Sequence, residues 1–178
     1  MGVKGREQTR KRKLKSTAYH EAGHAVVSFF LHRPFRFVTI KPGGDSLGRM
    51  VGRPSDYRRR LRMAEKGYID VVDACIAAAG CEAEKKLTGR YNHRGAGKDY
   101  DAILDIARGV GEDGGGRSEN SPMAKAIADA SFKEARYLLN QPWAAEAVRE
   151  VAKELLRRET LNHETFVSLM MATRKGRV

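Results

Sequence analysis

The sequence predicts a mainly α fold of the α+β class: a helical domain with one small β-hairpin beside its first helix and a helical bundle at its C-terminal end. Apolar residues recur at spacings of three and four over 17–31, over 66–87 and through the last third, which is the helical period. One stretch, Phe35-Arg36-Phe37-Val38-Thr39-Ile40, instead alternates and is rich in β-branched and aromatic residues, as a strand is. With 178 residues, 41% of them hydrophobic, one domain can bury a real core. The division expected is a basic tail at 1–15 and a single domain at 16–178.

Residues 1–15 lack apolar periodicity, so a disordered tail is expected there. Ser16 or Thr17 can cap a helix over 17–31, and Pro34 forbids its continuation. After the Phe35–Ile40 strand, Pro42-Gly43-Gly44-Asp45 is turn chemistry, and Leu47, Gly48, Arg49, Met50 and Val51 can return as a second strand. In the helix over 66–87, Val72, Cys75, Ile76, Ala79, Ala83 and Leu87 form the stripe, with Gly89 closing it. A polar loop over 90–98 leads to a helix from Asp99. Gly, Glu, Asp and Ser over 109–121 predict a mobile loop. Met123, Ile127, Ala130, Ala135, Leu138 and Leu139 mark the next helix. Pro142 suits the first turn of the one after, with Ala144, Val148, Val151, Ala152 and Leu155 as its stripe and Trp143 as a packing anchor. Asn162 can cap a final helix carrying Phe166, Leu169 and Met170.

The chemistry is concentrated in Tyr19-His20-Glu21-Ala22-Gly23-His24, an H-E-x-x-H pattern inside the first helix. Residues four apart lie one turn above each other, so His20 and His24 can turn two imidazole nitrogens toward one metal ion. Glu21 lies about 100° further round, flanking such an ion without ligating it, where a general base toward water belongs. On the helical wheel Ala18, Ala22, Ala25, Val26 and Phe29 form the core stripe, and the histidines fall on the opposite side with Val27 and Leu31. An ordinary amphipathic helix with two partly exposed histidines is the bland alternative. A metal site needs a third ligand, and spacing leaves Glu82, Glu84, His93, Asp99 and Asp101 as equal candidates.

In order along the chain, Ala18-Tyr19-His20-Glu21-Ala22-Gly23-His24-Ala25-Val26-Val27, the pair Val38-Thr39-Ile40 and Leu47-Gly48, then Ala79-Gly80-Cys81-Glu82-Ala83-Glu84 (similar to G-G-R-A-A-E-E), Gly95-Ala96-Gly97-Lys98-Asp99 (similar to S-G-A-x-x-D-L) and Leu156-Arg157-Arg158-Glu159-Thr160-Leu161 (similar to L-x-x-x-E-T-L) resemble the peptidase domain of the FtsH family, the membrane-bound ATP-dependent zinc proteases of peptidase family M41. The match covers residue 18 to about 170. The resemblance implies a zincin-like helical peptidase domain holding one Zn²⁺ per chain on His20, His24 and Asp99. It also implies Glu21 as the base, with Leu47, Gly48, Arg49, Met50 and Val51 as the strand that receives substrate. The substrate would be an unfolded protein or peptide, and the assembly a homo-hexamer. Arg94 and Tyr100 stand where the family has Ser and Leu. Within these residues there is neither a transmembrane helix nor an AAA+ module with Walker motifs, so either a peptidase without its unfolding motor or an excised domain is expected, the initial Met and the basic tail favouring the standalone protein.

The formal charge is +12. Half of it lies in residues 1–15, where Lys4, Arg6, Arg10, Lys11, Arg12, Lys13 and Lys15 face a single Glu7. Arg53, Arg58, Arg59, Arg60, Arg62 and Lys66 add a second patch. A nucleic-acid-binding module would use this charge, but the aromatic residues are few and not interleaved with the arginines. At most weak, non-specific binding to nucleic acid is expected. A regulatory, catalytically inactive peptide-binding domain is the other alternative, although it would not need Glu21. No apolar run approaches the ~20 residues of a membrane span. Cys75 and Cys81 read as buried apolar residues of a reducing compartment, and a cytoplasmic location is expected.

Overall fold

Helix α1 (Val3–Phe30) is the spine on which the other elements are laid. In the computed structural model the described residues are 3–44, 46–52, 63–92, 95, 97–110 and 122–175. After α1 come β1 (Phe35–Thr39), β2 (Arg49–Gly52), α2 (Met63–Thr88), α3 (Gly97–Val110), α4 (Pro122–Asn140), α5 (Pro142–Arg158), β3 (Thr160–Asn162) and α6 (His163–Lys175). A mainly α fold with one small sheet is what the periodicities predict.

The second half of α1 is buried on every side because α2, α5 and the sheet surround it. Its small residues make this feasible. A Cβ at Gly23 would come within 2.5 Å of the Ala79 carbonyl oxygen and 2.6 Å of Ala83 Cβ, so only glycine lets α1 cross α2 this closely. His20 and His24, off the main packing stripe of the helical wheel, therefore sit inside the structure, both under 10% exposed, and not partly exposed as the bland alternative has them. The helix ends in a Schellman turn: Arg33 N–H donates to the Ser28 carbonyl (2.8 Å) and His32 N–H to that of Phe29 (3.2 Å). His32 takes the left-handed conformation at φ 54°, and Pro34 follows. Arg33 then clasps Asp73 of α2 through two 2.9 Å hydrogen bonds.

Two boundaries correct the sequence reading. Helix α1 starts at Val3, where a disordered tail to residue 15 is expected, and Ser16 and Thr17 lie within it. Residues 6–15 are exposed, so they gain helix by continuing a packed one, helped by the good helix propensity of Lys, Arg and Gln. At the other end, Thr160–Asn162 forms a third strand before the last helix. The sheet order is β2-β1-β3, all antiparallel, with Val38 opposite both Met50 and Leu161. Its inner residues Phe35, Val38, Ile40 and Leu161 join Phe166, Val26, Leu139, Leu155 and Val151 in one core.

The remaining punctuation behaves as read. Gly89 closes α2 at φ 78°, Pro142 opens α5, and Asn162 Oδ1 caps α6 by accepting from Thr165 N–H at 2.8 Å. Trp143 lies against Phe30, ring centroids 3.5 Å apart. Cys75 and Cys81 are buried free thiols, each pushed up to about 12 by burial first and neighbouring carboxylates second. The loop expected at 109–121 lies outside the described residues except for Gly109 and Val110, which end α3. Of the basic patch at 53–66, only 63–66 fall within a described element, the start of α2.

Candidate metal centre

One turn apart on α1, His20 and His24 bring their Nε2 atoms to 3.0 Å of each other. The first turn of α3 delivers Asp99 to the same point, its Oδ2 2.9 Å from His20 Nε2 and its Oδ1 3.6 Å from His24 Nε2. One ligand atom from each residue lies within 4.8 Å of the others, and this is the group of three that could hold a metal among the described residues. Atoms held at 2.0–2.1 Å from a tetrahedral zinc are about 3.4 Å apart, so the observed separations fit that ion. The donor set of two imidazoles and a carboxylate is also one that zinc accepts, with a fourth position left open.

The groups behind these atoms fix their orientation. His24 Nδ1 lies 2.8 Å from the Ile76 carbonyl oxygen. A carbonyl only accepts, so Nδ1 carries a proton, and Nε2 is the nitrogen left to serve as a ligand in the neutral ring. His20 Nδ1 faces Glu84 Oε2 at 3.3 Å, although at an angle that leaves it short of a hydrogen bond. Glu84 is itself held through Oε1 by Ser16 Oγ (2.5 Å) and Asn92 Nδ2 (2.9 Å). Gly80 of α2 forms the wall opposite: a Cβ there would collide with His24 Nε2 and stand 2.8 Å from His20 Nε2.

Electrostatics favour a cation among these groups. Burial alone would push the His20 imidazolium down, but the close Asp99 and Glu84 carboxylates outweigh it and raise the group to about 10. His24 is raised in the same way, burial opposing and the Asp99 charge prevailing. Asp99 is held well below the usual carboxylate range against its own burial by the two imidazoles. Both histidines thus prefer positive charge beside Asp99, which is a field that a divalent ion satisfies directly.

Glu21 lies beside the group, 5% exposed, with Oε2 buried and making no hydrogen bond within the protein. Burial raises its pKa, while His24 and His20 pull it back. A buried carboxylate oxygen without a partner is costly unless a proton or a water serves it. Against it rests Gly48, where a Cβ would come within 2.7 Å of Glu21 Oε1. Leu47 and Arg49 are exposed, and Met50 and Val51 are half-buried. Of the strand expected over 47–51, Arg49, Met50 and Val51 lie in β2, while Leu47 and Gly48 precede it; β2 pairs with β1 and has no second partner strand among the described residues.

The other third-ligand candidates lie elsewhere. Asp101 points to solvent, and Glu82 is taken by Arg136 and Tyr91. Glu84 stands behind His20, and His93 lies outside the described residues. Missing from the sequence reading were the Ile76 carbonyl, Ser16, Asn92 and Gly80. The pair Glu82 and Glu84, two carboxylates directly after the apolar run of residues 74–81 in α2, was the available signal for buried polar work.

A buried H-E-x-x-H helix, an aspartate delivered from a second helix and a strand edge beside the glutamate define a metallopeptidase-like centre. The sequence signature described as "Peptidase family M41" matches residues 7–115, more than half of the chain, and the protein belongs to that family. It is 29% identical to the ATP-dependent zinc metalloprotease FtsH of Thermus thermophilus, over 87% of this chain and 28% of that protein. It is likewise 29% identical to FtsH 1 of Methylacidiphilum infernorum, over 86% of this chain and 28% of the relative. The chloroplastic FTSH 1 of Oryza sativa subsp. japonica is 26% identical over 89% of this chain and 28% of its own length. The chain thus spans little more than a quarter of these relatives. No helix among the described residues is long and apolar enough to cross a membrane.

Proposed function

We propose that this chain is a zinc-dependent endopeptidase that hydrolyses unfolded proteins or peptides, with His20, His24 and Asp99 as the metal ligands and Glu21 as the general base. The observation that carries the reading is the convergence of the three ligand atoms within 4.8 Å, beside a buried glutamate oxygen that has no partner of its own. When bound, zinc supplies a Lewis acid that acidifies water and polarises a carbonyl. Glu21 takes the water proton at its free oxygen and passes it to the leaving amine. Its burial raises the carboxylate's basicity for the first transfer. The hydrogen bond from His24 Nδ1–H to the Ile76 carbonyl would keep Nε2 free to hold the ion.

Substrate enters as an added strand along the outer edge of Leu47, Gly48, Arg49, Met50 and Val51, main chain to main chain. Gly48 supports this, since its missing side chain lets the chain just before β2 lie directly against Glu21. An extended peptide is required, so a folded protein is a poor substrate. Already unfolded chains need no unfolding to lie along this edge, and their cleavage is proposed to need no ATP. Homo-oligomerisation rests on the family resemblance alone and is read by analytical ultracentrifugation.

The test joins metal analysis with digestion of casein, in the absence of ATP, with and without a chelator. One zinc per chain and chelator-sensitive cleavage are expected, and Glu21→Gln should keep the zinc and lose the cleavage. Cleavage by Glu21→Gln at the wild-type rate would falsify the mechanism. Zinc-loaded protein that cuts nothing would leave a peptide-binding domain.

A further inference from the structure

Two of the three proposed ligands ride on one buried helix, but Asp99 depends on how the segment between α2 and α3 is laid down. That segment contains Gly89 and Gly95, whose backbones are conformationally permissive. Contacts from outside it help to fix its course. Glu82 of α2 is 2% exposed, and a buried carboxylate is tolerated only when paired. Its partners come from two other places. Tyr91, in the segment, donates its hydroxyl to Glu82 Oε1 at 2.5 Å. Arg136, on α4, donates to Oε2 from Nε at 3.1 Å and to Oε1 from Nη2 at 2.8 Å. The triangle closes where Arg136 Nη2 donates to the Tyr91 oxygen at 3.0 Å.

Aromatic contacts repeat the same connection. Phe132, one turn before Arg136 on α4, packs against Tyr91 at one end of the segment, centroids 6.4 Å apart. It also packs against Tyr100, the neighbour of Asp99, at 5.2 Å. Lys85 Nζ covers the Tyr91 ring at 4.1 Å. Resting on the metal reading above, we propose that Glu82, Tyr91 and Arg136 form a clamp that positions Asp99, tying the α2–α3 segment to α4 so that the carboxylate meets the two histidines. None of the three touches the ligand atoms; they are positioning residues.

Tyr91→Phe removes one hydroxyl and keeps the ring, and Arg136→Lys keeps the charge while losing the two-pronged grip. Zinc affinity is measured by chelator competition, and backbone hydrogen exchange is followed in the zinc-free protein. Each variant should bind zinc about tenfold more weakly, the lower end for groups that orient ligands from behind. In an Asp99→Asn background neither should weaken zinc further, because the residue they position no longer ligates. Exchange should quicken at 97–101 and stay unchanged at 18–27. Wild-type zinc affinity in both variants, or equal weakening with and without Asp99, overturns the clamp. A wild-type protein that binds no zinc defeats the metal reading instead. The exchange data then still decide whether the three residues hold Asp99 in place, unchanged exchange at 97–101 overturning the clamp.

Discussion

Asp99 Oδ2 and His20 Nε2 are 2.9 Å apart although they stand on different helices, α3 and α1. The contact joins the acidic member of the proposed ligand set to a histidine fixed by its own buried helix. Replacing Asp99 by Ala should therefore weaken zinc at least 100-fold while leaving the fold intact. Asp101→Ala, exposed two residues on, should change nothing measurable. Isothermal titration with zinc separates the two, and a strong loss in Asp101→Ala with none in Asp99→Ala would reverse the assignment.

Gly48 offers a test of the base that leaves the metal alone. An added Cβ would press on Glu21 Oε1, Glu21 Cγ at 2.8 Å and Thr17 Cγ2 at 2.9 Å. The glutamate side chain can swing away, so Gly48→Ala should cost little stability but misplace the carboxylate. Displacements near 1 Å cost about 100-fold in rate. Expected is near-normal zinc content with kcat for an unfolded substrate reduced about 10–100-fold. Equal loss of zinc and of activity would show that the strand supports the site as a whole.

The legible part of this site was the part written along one helix. His20, Glu21 and His24 follow from a four-residue spacing, which fixes their relative directions wherever the helix is. Asp99 did not follow from spacing, because its approach depends on a glycine-bearing segment and on α4, and only the family resemblance singled it out from Glu82, Glu84, His93 and Asp101. The Ile76 carbonyl had no signal, since any residue could supply it. The wheel set His20 and His24 off the main packing stripe but could not show how deeply they lie, because it assigns one core face, and here α2, α5 and the sheet enclose the helix from several sides. The helix over residues 3–15 was hidden for the opposite reason: absence of apolar periodicity argues against burial, not against a helix that a packed neighbour extends.

Glu82 should make stability depend on acid. Burial would raise its pKa, but hydrogen bonds from Arg136 and Tyr91 prevail and lower it below the ordinary 4.5. A carboxyl whose folded pKa is depressed contributes stability above its unfolded pKa and loses it as pH falls through the folded value. Glu82→Gln should therefore be less stable than wild type by about 2 kcal/mol at pH 7, and the gap should shrink below pH 4.5. Urea unfolding across that range measures it. A gap independent of pH would mean that the carboxylate charge contributes nothing.

The basic half of α1 should separate from the chemistry. Residues 6–15 are exposed, and Lys11 pairs with Glu7 at 2.7 Å on the surface, an interaction worth at most a few tenths of a kcal/mol. The positions that fix His20 and His24 begin at the buried Ala18. Deleting residues 1–15 leaves Ser16, which holds Glu84, at the new helix start, where serine is a favourable cap. Peptidase activity on a neutral unfolded substrate should stay within about twofold, and zinc content should not change. Binding to DNA should be weak, indifferent to sequence and steeply salt-dependent in the full chain. It should fall markedly in the truncated one, which loses half of the net +12. Tight binding that survives high salt, or a peptidase abolished by the deletion, would assign these residues a specific role that their exposure does not suggest.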